Sequence, residues 1–112
     1  MKTFDPDALT PGIRQTVVWL RRNHFDTTDS GDGITNVLAG MEEALEFPHV
    51  VMVVKPELLI SEAKRLKKLC EDTNIPLDDA NIGIEASYSP LDGVALIMLV
   101  GVNDVLLDQC LD

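Results

Sequence analysis

Past Lys68 the chain contains no lysine and no arginine, and the stretch from Asn23 to Val54 is equally bare of them. Nine Lys and Arg face nineteen Asp and Glu, a net charge of −10. Most of the bases fall in two clusters, Arg14, Arg21 and Arg22 near the start and Lys64, Arg65, Lys67 and Lys68 beyond the middle. A broadly negative field repels phosphate backbones and anionic lipid. Direct nucleic-acid binding and membrane binding are therefore not expected, and basic protein surfaces or cations are the favoured partners.

Long apolar runs are missing too. The longest, Val94 to Val100, falls well short of the roughly 20 residues a membrane span requires. The first residues carry neither an apolar export core nor a cleavage site, so a cytoplasmic location is expected. Cysteine is limited to Cys70 and Cys110, without a Cys-x-x-Cys spacing. That argues against a disulfide framework and for buried thiols acting as small hydrophobes. There is no internal repeat, low-complexity tract or dividing linker. With 46% hydrophobic residues over 112 positions, one domain over 11–112 with its own core is expected, after an irregular arm over 1–10.

What is present is an alternation of helix and strand signals. Thr10-Pro11 reads as a helix start, and Ile13, Val17 and Leu20 then share one face through Asn23. Trp19 lies beside that stripe, at the rim of the core. Phe25–Thr28 is a short strand, and Ile34, Val37, Leu38, Met41 and Leu45 make a second helical stripe up to Phe47. Val50–Val54 is the unbroken apolar run of a strand covered on both faces. Lys55-Pro56 opens a helix with Leu59, Ala63, Leu66 and Cys70 inward and Lys64, Arg65 and Lys68 outward. Ile82, Ile84, Ala86 and Tyr88 alternate with Gly83, Glu85, Ser87 and Ser89, and Ser89–Gly93 turns this strand into Val94–Val100, an antiparallel hairpin. Asn103-Asp104 caps a last helix through Leu107 and Leu111. The expected fold is α/β, or α+β, in the order α-β-α-β-α-β-β-α around a four-stranded mixed sheet. A crossover helix would make the first two strands parallel.

Polar chemistry concentrates in Phe25–Gly33, where Asp26, Asp29, Asp32 and Ser30 lead with two glycines into the second helical stripe. Asp29 and Asp32 could share a hard cation, Mg²⁺ or Ca²⁺, though no cofactor is required by the pattern. The spacing is not that of an EF-hand, because Ala39 would stand where the last ligand, a glutamate, is needed. Neither is there a Gly-Lys-Ser/Thr phosphate loop, nor a serine beside a histidine. With parallel strands, His24 and His49 would lie about 17 to 20 Å from the aspartates, leaving only a His24, His49 and Cys70 grouping at their own pole.

The plainest reading of the loop is turn chemistry and helix capping. Glu42, Glu43 and Glu46, however, crowd the negative end of the second helix and repel one another, which calls for a cationic neighbour. The reading favoured by these features is a small acidic protein-interaction module that binds a basic surface of another protein through the Asp loop and the Glu42, Glu43 and Glu46 helix end. Bulk properties of this kind resemble those of small phage or host-interaction proteins, including acidic inhibitors that occupy a nucleic-acid site on their target. The alternative is a Mg²⁺- or Mn²⁺-dependent hydrolase or ligand-binding protein, with Asp29 and Asp32 on the metal and Glu85 activating water. A third reading is self-association into a homodimer through the hairpin or Trp19.

Overall fold

The strands His49–Val54 and Val94–Val100 alternate apolar side chains between the two faces of a sheet, and among the described residues helices cover only one of those faces. The computed structural model describes residues 12–31 and 48–111. Its elements are α1 (Arg14–Arg22), β1 (Thr27–Gly31), β2 (His49–Val54), a 3-10 turn (Pro56–Leu58), α2 (Leu59–Asp72), β3 (Gly83–Ser89), β4 (Val94–Val100) and α3 (Asp104–Leu111). The class is α+β, and the described residues form three helices and one four-stranded sheet. The expected arm over 1–10 and the helical stripe from Ile34 to Phe47 lie outside the described residues.

The sheet order is β1-β2-β4-β3, and every neighbouring pair is antiparallel. This corrects the parallel pairing expected for the first two strands. β1 runs past the short apolar start into Asp29-Ser30-Gly31, so Gly31 lies opposite His49 and Ser30 opposite Val50. The end of β1 and the start of β2 therefore lie side by side at one end of the sheet. The hairpin β3–β4 is as expected: Gly93, at φ 65°, closes the turn by donating its N–H to the Ser89 carbonyl at 2.8 Å.

On the helical face, Val50, Met52, Ala95, Ile97 and Leu99 are buried, and all but Ala95 join one core cluster with Ile13, Val17 and Leu20 of the first segment, Leu66 and Cys70 of α2, and Leu107 of α3. Burying each large aliphatic side chain contributes roughly 1.5–3 kcal/mol. Trp19 is half-buried against this cluster, a core-rim position. On the other face, Val51, Leu96, Met98 and Val100 are half-buried and Val53 is 38% exposed. The expected strand covered on both faces is thus only partly realised at β2.

Two helices end on the same device. His24 (φ 67°) and Asn74 (φ 63°) adopt the left-handed conformation just past α1 and α2. Behind them Phe25 N–H reaches the Leu20 carbonyl at 3.1 Å, and Ile75 N–H the Cys70 carbonyl at 2.9 Å. With His24 N–H on Arg21 and Asn74 N–H on Glu71, each at 3.1 Å, both are Schellman caps, closed by a buried Phe25 or Ile75.

Candidate functional site

Antiparallel pairing rearranges the polar residues singled out in the sequence. His24 sits at one end of the sheet, on the cap of α1, and His49 at the other, opposite Gly31 and Val100. The expected grouping of His24, His49 and Cys70 is not formed. His24 is exposed, His49 is buried, and Cys70 points into the core on the helical face, away from the face that His49 shares with Val51. Conversely, the end of β1 that carries Asp29 and Ser30 meets the start of β2, so His49 is next to them along the ladder, not a strand length away. Among the described residues no three His, Cys, Asp or Glu side chains come together as a metal site. Asp32, Glu42, Glu43 and Glu46 lie outside the described residues.

Asp26 is exposed before β1, where its carbonyl accepts the Val53 N–H at 2.9 Å. It borders a hollow of about 250 Å³ with His24, Lys55, Glu62 and Arg65, at the opposite end of the sheet from Gly31. Arg65 is fully engaged there. Its guanidinium grips Glu62 at 3.2 and 2.6 Å, donates to the Asn23 and His24 carbonyls at 2.6 and 3.1 Å, and lies 3.8 Å above the Phe25 ring. The residue expected on the solvated side of α2 is instead a brace between α2 and the end of α1. The helical periodicity could not reveal this, because the partner carbonyls are more than forty positions away in the chain.

Glu85 does not lie beside Asp29. The register aligns Asp29, Val51, Met98 and Glu85 in one row across the sheet, with Asp29 and Glu85 on opposite edges. Three inter-strand steps of about 4.8 Å separate their backbones by about 14 Å. Glu85 belongs instead to an exposed hollow of about 480 Å³ on the face away from the helices, with Ser87, Val51, Leu96 and Met98. An apolar floor with a carboxylate and a hydroxyl on its rim has the make-up of a protein contact patch.

The ionisable groups show how charge is arranged. Lys67 and Lys68 pair with Glu71 and Asp72 along α2, at 3.8 and 3.2 Å. Asp78, Asp79, Glu85, Asp92 and Asp108 are exposed, and none meets a cation among the described residues. Both cysteines are free thiols. Burial pushes the Cys70 thiol up to about 12, and the nearby Cys110 and Glu71 add to the effect, so Cys70 is a core residue and not a nucleophile. No helix among the described residues is long and apolar enough to cross a membrane. No family model, no curated protein and no solved structure matches the chain.

Proposed function

We propose that this chain is a protein-interaction module that docks an acidic surface onto a basic surface of a partner protein. The observation that carries the reading is the imbalance left after internal pairing. Arg65, Lys67 and Lys68 are engaged within α2 and with α1, and Lys64 makes no ion pair among the described residues, but Asp78, Asp79, Glu85, Asp92 and Asp108 outnumber it, exposed and without cations among those residues. No Lys or Arg follows Lys68 to offset them. The apolar hollow beside Glu85 supplies the dehydrated centre that a charged rim alone lacks. In the sequence, Asp26, Asp29 and Asp32, with Glu42, Glu43 and Glu46, add charge of the same sign.

Less supports the hydrolase alternative, since Glu85 lies across the sheet from Asp29. The test is binding to a basic protein surface as ionic strength rises. The expected result is an affinity that falls several-fold between about 50 and 500 mM salt, and an affinity indifferent to salt would overturn the electrostatic reading.

A further inference from the structure

β3 is the less protected of the two sheet edges. β1, on the opposite edge, is interrupted by a register shift between Thr27 and Asp29, a bulge of the kind that discourages further pairing. β3 keeps an unbroken register with β4 from Gly83 to Ser89, contains no proline, and pairs with nothing on its outer side among the described residues. Its one charge, Glu85, lies on the face away from the helices, opposite Met98.

The helical side of the same edge is a groove of about 340 Å³ between α2 and β3. Ala63, Ile84 and Ala86 line it, Ile60 stands at its rim 72% exposed, and Lys64 and Lys67 run alongside. Lys64 makes no ion pair among the described residues, and Lys67 only the long 3.8 Å pair with Glu71. An apolar trough with two ammonium groups along one wall is thus joined to a row of free backbone donors and acceptors.

We propose that this edge receives an extended segment of another protein, added as a fifth strand, that carries an apolar and an acidic side chain two residues apart. Backbone pairing with β3 supplies the attachment, and alternate side chains of the added strand fall on one face. On the helical face the apolar one fills the groove against Ile60 and Ile84, and the acidic one meets Lys64 and Lys67.

A second copy of this chain is the poorer occupant. Opposed residues of an antiparallel pair share a face, so a second β3 would bring Ile84, Ala86 and Tyr88 under the lysines and leave its only carboxylate, Glu85, on the far side. It would also face Lys64 and Lys67 with their own duplicates. This groove lies on the helical face of β3, opposite the face that carries the Glu85 hollow, and has the opposite sign, so the Lys64 and Lys67 variants test it separately from the acidic surface.

The experiment uses a fluorescently labelled peptide of about ten residues, in which isoleucine and glutamate alternate on one face and threonine fills the other. Its control replaces each glutamate by lysine. Binding is followed by anisotropy and by backbone amide NMR of the full chain. The glutamate peptide is expected to bind at least about tenfold more tightly than the lysine peptide, with shifts concentrated in β3 and α2. The double variant Lys64→Glu/Lys67→Glu, with its fold checked by circular dichroism, should reverse that preference, and Ile60→Ser should weaken both peptides. Equal binding of the two peptides, no binding of either, or a preference unchanged in the double variant would overturn the proposal. So would sedimentation showing β3 occupied by a second copy.

Discussion

The carboxylate of Asp104 caps a helix that is not its own: Oδ1 accepts the Thr16 N–H and the Thr16 hydroxyl, both at 2.8 Å, and Oδ2 accepts the Gln15 N–H at 3.1 Å. Asp104 is the first residue of α3, yet these orphan donors belong to the first turn of α1. A negative charge there also faces the positive end of the α1 dipole. Asp104→Ala is expected to cost about 2–3 kcal/mol in urea unfolding, because buried Thr16 is left unsatisfied. Asp104→Asn, which keeps one acceptor, should recover about half of that.

The left-handed caps offer the opposite sign of effect. His24 and Asn74 hold a conformation that costs non-glycine residues about 1 kcal/mol. His24→Gly and Asn74→Gly should therefore each raise stability by about 0.5–1 kcal/mol and add together, since they end separate helices. Thermal unfolding of the singles and the double checks this.

Arg65 is held by four hydrogen bonds and by its contact with the Phe25 ring. Arg65→Ala should destabilise by about 2 kcal/mol, from the lost stacking on Phe25 and the stranded Asn23 carbonyl. Arg65→Lys should behave almost like the alanine variant, because a single ammonium cannot span Glu62 and two carbonyls while covering a ring. Equal stability of the lysine variant and the wild type in a denaturant titration would contradict this geometry.

Cys70 gives the chain an alkaline limit. Its thiol is raised in the fold from 9.0 to about 12, so the unfolded chain releases this proton first. The contribution is intact below pH 9 and is lost as pH climbs from 9 toward 12, at up to about 1.4 kcal/mol per pH unit. The difference in pH dependence between wild type and Cys70→Ala isolates this loss. Under native conditions at pH 8, iodoacetamide should label half-buried Cys110 and spare fully buried Cys70.

Divalent ions test the Asp loop. Millimolar Mg²⁺ or Mn²⁺ is expected to leave the melting temperature unchanged, and a rise that disappears in Asp29→Asn would restore the metal reading.

The strand Val94–Val100 could be read from the sequence without error, because seven apolar residues between a Pro-Gly turn and a Gly-Asn break admit few other structures. Helix α2 was legible for the same local reason, through the spacing of Leu59, Ala63, Leu66 and Cys70. What could not be read is how distant pieces meet. The direction of β1 depends on a ladder between Ser30 and Val50 that no periodicity records, and it decided that His49 stands near Asp29. The roles of Arg65 and Asp104 are invisible for a related reason, since charge on a helix surface looks solvated until the partner backbone is known. Gly101 was equally silent: at φ 87°, a Cβ there would run into the Asn81 carbonyl.

The two ends of α1 are held by residues made much later, Asp104 at the start and Arg65 at the end. With only nine residues, such a helix is marginal by itself in water. On the ribosome, the first helix would therefore remain unfinished until the last one has emerged. The chain would then gain its native form in a single late step, and cutting it before Asp104 would undo its beginning as well as its end.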